Sequence, residues 1–436
     1  MVRLQILVPA VAGTAALISG AVGPAVGLFL LAGLAAWAVH LWRAEIGLCA
    51  RLLGLAAACV VDVPGLVGAA AGTAGAGAAV VAVLGASALA GLANGSLYAN
   101  PAVASSSSAA GCLDAAGSPT PCCAWSPSPL GPPLALLALL TAAWASATAR
   151  QAKTFIIAGA SAAWWWAPRV EGDAEAGARP STLPRPLLVG VTRRAAEHAL
   201  GPSAGSLAMG GAVMSLSSGL RAALNAVTSS GEGEGGPGIL FSLFAAIAGG
   251  LIELLQVLTK YATVAAAITG AGLLDAGRSA TALLKQQSLS ALGVWYFPPL
   301  VLNAYVGLAA IVCGAAAGGL YAVTAPAAAH GATGDDYAQT VLAHAVGVGA
   351  AAAAVVGAIT AFATGVLLSS VDALFFAWAL DRAGGGGVAR PDAAAVFEAV
   401  PCGVVVEQPD GGLAYGAGGG RRRYVPPSQL PAGTPV

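Results

Sequence analysis

Between Arg51 and Arg150 the chain contains no lysine or arginine, and the same holds between Arg221 and Lys260 and between Lys285 and Arg382. Those gaps are filled by apolar runs of the length that crosses a bilayer, about 20 residues. Only 9% of the 436 residues are charged, against about 25% in a soluble domain. A deficit of that size along the whole length predicts an all-α polytopic transmembrane bundle. The 19 basic and 19 acidic residues cancel, so no basic surface for nucleic acid is expected.

Read in order, the runs predict about eight spans plus broken or re-entrant helices. Leu4 to Leu41 is too long for one helix and is broken at Gly20-Ala-Val-Gly-Pro24, which predicts a hairpin of two spans rather than a cleaved signal peptide. An amphipathic segment, Arg43 to Val61, precedes a span from Pro64 to Leu92. Ala93 to Pro129 is a loop rich in Ser, Pro and Gly, and Leu130 to Ser146 is the next span. Lys153 to Pro168 continues it, as one long helix or as a separate half-helix. Leu187 to Leu200 is amphipathic. Ala204 to Leu220, Ile239 to Leu258, Pro298 to Tyr321 and Val341 to Leu367 are the remaining spans. Tyr261 to Gln287, interrupted at Gly270, Gly272, Asp275 and Arg278, is too broken to cross simply and is expected within protein. Residues 1–383 thus form one transmembrane domain, and residues 384–436, rich in Gly, Pro and Arg, are expected as a disordered cytoplasmic tail.

The stretch Lys153 to Pro168 carries the densest signal. Ala158-Gly-Ala-Ser161 is a small-residue patch of the kind that lets helices approach closely in a bilayer. Trp164, Trp165 and Trp166 follow it. They either anchor a helix end at the headgroup level or offer π faces to a cation. Among intramembrane acids, Glu253 and Asp372 each mark a cation pathway or a structural pair with Lys260, Arg278 or Arg382, the structural pair being the favoured reading for Asp372. Gly201-Pro-Ser203-Ala-Gly205 spells a nucleophile-elbow pattern, but an amphipathic helix precedes it where the elbow needs a strand. No catalytic residue is assigned. His40, His198, His330 and His344 show no ligand spacing, so no metal and no cofactor is expected. Gly231 to Gly238 resembles a phosphate loop only in its glycines. Asn94-Gly-Ser96 is a candidate glycosylation sequon, and Cys112 is expected to pair with Cys122 or Cys123.

Four blocks resemble the choline transporter-like family of solute carriers. They are Ile156 to Trp166; Arg193-Arg194 through His198 to Gly210; Lys260 to Leu284; and Ser369 to Asp381. Together they place the resemblance over about residues 25 to 385. The resemblance implies an all-helical plasma-membrane transporter, not an enzyme, moving choline or a related amine such as ethanolamine. It departs from the family at Lys260, where an asparagine is usual. The partners implied are a small organic cation and membrane lipids. Trp164, Trp165, Trp166, Tyr261 and Glu253 are the candidate substrate-binding residues. Asp275, Arg278, Asp372 and Asp381 are structural or pathway charges. A non-transporting membrane scaffold and, further off, an intramembrane serine hydrolase acting through Ser203 are the alternatives.

With both termini inside and the Ala93–Pro129 loop outside, only Arg221 of the 19 basic residues falls at an outer end, as the positive-inside rule requires. A cysteine placed at Ser107 should therefore react with an impermeant maleimide from the outer face of sealed cells. Reaction only from the cytoplasmic face would invalidate the span assignment.

Overall fold

The computed structural model of the chain describes residues 22–41, 43–100, 122–167, 185–229, 239–286, 288–324, 335–384 and 389–398, with isolated positions before residue 22. Most of the first expected span, Cys112, the glycine-rich segment 231–238 and the chain beyond residue 398 lie outside the described residues. Among the described residues six helices are long and apolar enough to cross a membrane. The elements are α1 Val22–Leu41, α2 Arg43–Asp62, α3 Leu66–Ala93, α4 Gly131–Trp165, α5 Arg185–Leu200 and α6 Ala204–Ser229. They continue as α7 Ile239–Thr269, α8 Leu273–Gln286, α9 Ser288–Thr324, α10 Asp335–Ala383 and α11 Pro391–Glu398. The structure is thus the helical membrane protein that the charge pattern predicts.

Several boundaries differ from the sequence reading, each for a physical reason. For the Trp-bearing stretch, one long helix is the alternative observed: α4 runs unbroken for 35 residues. The span expected to stop at Leu258 continues through Lys260 to Thr269, because a carboxylate on α10 meets the lysine. The break comes only at Gly270, whose φ of 73° suits glycine. Its N–H closes the helix on the Ala266 carbonyl at 2.9 Å. Likewise α10 does not end near Leu367 but extends to Ala383. At 1.5 Å per residue its 49 residues span about 73 Å, more than twice the hydrocarbon core of about 30 Å.

The loop between α3 and α4 also holds structure that composition did not suggest. Strands β1 Gly95–Ala99 and β2 Cys123–Pro127 pair antiparallel, Gly95 opposite Pro127 and Ala99 opposite Cys123. Of the two adjacent cysteines, Cys122 is disulfide-bonded and Cys123 is free. Asn94 is the exposed residue that ends α3, and its carbonyl accepts from the Ser128 N–H at 2.8 Å.

The described bundle is polarised along its axes. The first part of α4 exposes Leu134, Leu136, Leu137, Leu139 and Leu140, and α10 exposes Val346, Val355 and Ile359. In the later parts of the same helices, Phe155 to Ile157 and Val371 to Ala379 are buried. The core joins these segments to α2, the start of α3, the end of α7, α8 and α11. Helices α9 and α10 touch through small residues. A Cβ built on Gly314 would lie 2.8 Å from the Gly349 carbonyl, and one on Gly318 would lie 2.7 Å from the Ala345 carbonyl. Without water to drive helix association in lipid, such close backbone approach supplies the dispersion contacts instead.

Candidate functional site

The small-residue patch on α4 does what its composition implies. Ala158, Ala160 and Ser161 are buried, and a Cβ on Gly159 would meet the Ala195 methyl on α5 at 3.4 Å. Close approach of α5 and α7 to this face leaves the next turn of α4 enclosed. Trp164 is 3% exposed and Trp165 fully buried, while Trp166 is half-buried at the helix cap. An anchoring role at the lipid headgroups therefore does not fit Trp164 or Trp165: protein, not lipid, surrounds them.

Successive helix positions point about 100° apart, and the two buried rings reach different carboxylates. Trp164 Nε1 donates to Asp62 Oδ2 at 3.0 Å, and Trp165 Nε1 donates to Asp381 Oδ2 at 3.2 Å. Asp381 also accepts the Ala389 N–H at 2.8 Å, which ties the segment after α10 back to the helix. That segment places Arg390, 3% exposed, with its guanidinium carbon 3.6 Å from the Trp164 ring centroid. Phe397 of α11 then stacks on Trp378 at 5.6 Å and lies 6.3 Å from Trp165 and 6.0 Å from Phe375. Residues 389–398 are thus seated in the core, contrary to the expectation of a disordered tail from Gly384. The helix-start signal was present in Pro391-Asp392, with proline at the first position and an acid in the first turn. Burial pushes the neighbouring Cys59 thiol up to about 12, with Ser161 and the Arg390 charge acting the other way, so it stays a neutral apolar group here.

A second polar constellation lies deeper along α10. Tyr261 Oη donates to Asp372 Oδ1 at 2.9 Å, and the Lys260 ammonium forms an ion pair with Asp372 Oδ2. Asp372 is 3% exposed. Of the partners considered for it, Lys260 is the one it takes. Nearby, Thr263 Oγ1 donates to Gln151 Oε1 at 2.7 Å. Asp372 and Asp381 are nine positions apart on one helix, about 14 Å at 1.5 Å per residue. Tyr261 and the tryptophans therefore belong to two neighbouring sites, not one.

The remaining candidates stand apart. Glu253 pairs with Arg221 at 3.6 Å, and both side chains are exposed on the bundle's exterior; its partner is none of the three basic residues proposed from sequence. Asp275 and Arg278 pair with each other at 2.9 Å on the exposed face of α8. Ser203 lies in the turn after α5, its N–H bonded to the His198 carbonyl at 3.0 Å, and the His198 side chain is exposed. Helix, not strand, leads into it, so the elbow geometry is missing. Asp62, Arg390, Trp378 and Phe397 were not singled out from sequence. They became visible only when α2 and α11 closed over the end of α4.

The family model described as plasma-membrane choline transporter matches residues 26–383. No individual curated protein matches the chain.

The Lys260–Asp372 pair makes a stability prediction. Asp372→Asn leaves a partly buried ammonium beside a neutral amide, which should destabilise the protein by about 1–3 kcal/mol, read as a lower melting temperature in detergent. The double variant Asp372→Asn with Lys260→Met removes the orphaned charge and should recover most of that loss. Additive losses in the double variant would show that the two groups do not act as a pair.

Proposed function

The chain belongs to the plasma-membrane choline transporter family, and from that premise we propose that it carries choline or a related organic cation across a membrane. The observation that supports this most is the guanidinium of Arg390 on the Trp164 ring. A quaternary ammonium neither donates nor accepts ordinary hydrogen bonds at its head, so aromatic faces and nearby carboxylates are its natural partners. Trp164, with Asp62 on its indole N–H, has the chemistry for a diffuse cation, and in this conformation a cation of the protein's own stands there. On this reading the substrate takes that face when the segment carrying Arg390 withdraws. Asp381 and Trp165 form the latch that holds the segment in place.

Of the residues singled out from sequence, Trp164 carries the site. Tyr261 acts at one remove by holding Asp372, Trp165 and Trp166 shape the end of α4, and Glu253 takes no part. The plasma membrane is the proposed location, with both termini cytoplasmic. That places the Trp164 cluster at the inner end of the bundle, where an inward-facing exit for the substrate belongs.

Uptake of labelled choline by reconstituted full-length protein tests the proposal. Trp164→Leu keeps apolar bulk but removes the ring quadrupole, a loss of ~1–2 kcal/mol that should raise the half-saturating concentration about five- to thirtyfold. Trp165→Leu and Trp166→Leu should lower the amount of folded protein more than the affinity of what remains. If all three variants transport with wild-type affinity, the cation site is elsewhere. If the wild-type protein moves neither choline nor ethanolamine, the scaffold reading replaces transport.

A further inference from the structure

A cleft of about 290 Å³ opens between α4, α6, α7 and α10, and its lining is unlike that of a cation site. Arg150, Lys153 and Lys260 all face it, together with Gln151, Gln256 and Ser369, and among the described residues no carboxylate lines it. Lys260 is compensated by Asp372. Arg150 and Lys153 have no carboxylate partner among the described residues; the Lys153 ammonium instead lies over the Phe362 ring at 5.7 Å. The two are three residues apart on α4, adjacent on one helix face, where like charges repel. Arg150 is exposed and Lys153 half-buried, so both charges are reachable from the cleft and open to a ligand of opposite sign.

We propose that this cleft binds a phosphate-type oxyanion, free or carried on a lipid headgroup, between Arg150 and Lys153 with Lys260 at its rim. The donor set fits that chemistry. A guanidinium offers a planar fork to two oxygens and an ammonium a point charge beside it. Gln151 accepts from Thr263 through its carbonyl oxygen, which leaves its amide hydrogens for the cleft it lines. The position fits as well. The exposed leucines of α4 end at Leu140, Trp144 is its last exposed large hydrophobic residue, Arg150 is exposed, and Gln151 begins the buried stretch. The cleft therefore sits where lipid-facing surface gives way to protein core, within reach of a headgroup. A choline-like cation would be repelled there, so this site is separate from the Trp164 face and stands whether or not the transport reading does.

The test uses purified full-length protein in detergent, with melting temperature followed against ligand concentration. The probes are sodium phosphate, against sodium chloride at equal ionic strength, and dioctanoyl phosphatidic acid, against dioctanoyl phosphatidylcholine. A saturable rise with both anionic probes identifies a site open to free oxyanions; a rise with phosphatidic acid alone identifies a headgroup site. Arg150→Gln and Lys153→Gln should each weaken the apparent affinity about tenfold, Lys153→Arg should retain it, and Arg193→Gln on the exposed face of α5 should leave it unchanged. In the wild-type protein the effective probe should also protect Lys153 from acetylation, read on its peptide by mass spectrometry, so the outcome does not depend on a variant folding. The proposal is overturned by the absence of any saturable shift, by a shift that persists in both glutamine variants, or by unprotected Lys153.

Discussion

Asp372 is a carboxylate in the last quarter of a long apolar helix, nearly sealed from solvent, and the buried half of the bundle is arranged around it. An ionised group there is tolerated only with its charge matched and its oxygens bonded. Lys260 and Tyr261, adjacent on α7, supply one partner for each oxygen. That pairing fixes the rotation and height of α7 against α10. It also explains why neither helix stops where its hydropathy falters. With α10 held, its next turns present Phe375, Trp378 and Asp381 to the end of α4, and Asp381 brings the chain back through Ala389 to place Arg390 and α11.

Much of this was legible in the sequence, and what was not has a common cause. The gaps between basic residues marked the spans, because the cost of charge in lipid is paid residue by residue and leaves a local trace. The Ala158–Ser161 patch announced a close helix contact for the same reason: backbone approach needs small side chains wherever it occurs. The continuation of α7 through Lys260 and of α10 through Asp372 was hidden, since each residue reads as a helix-ending charge until the other is beside it. The burial of Trp164 and Trp165 was hidden too. Nothing local to three tryptophans tells whether lipid or another part of the chain covers them, and here the cover comes from Asp62 and from a segment after residue 388. The β-strands between α3 and α4 escaped notice because Gly95–Ala99 is five residues long and lies in a Ser- and Pro-rich loop.

The end of α4 and the basic cleft carry opposite electrostatic characters. At the end of α4, aromatic faces and the carboxylates of Asp62 and Asp381 favour a cation, and Arg390 meets that demand from within the chain. Around Arg150 and Lys153 the lining favours an anion. Between them, the Lys260–Asp372 pair is neutral as a unit. On the proposed transport reading, a cation moving through the bundle would be drawn to the tryptophan end and kept from the basic cleft.

The central claim is that Arg390 occupies the face an organic cation would use. Equilibrium binding of choline to the purified protein, followed by its effect on tryptophan fluorescence, addresses this directly when wild type is compared with Arg390→Gln. Competition for one ring predicts that removing the guanidinium tightens choline binding, since the ligand no longer displaces an internal cation before it binds. Choline binding that is unchanged or weaker in a folded Arg390→Gln protein would contradict the account and assign Arg390 a purely structural place.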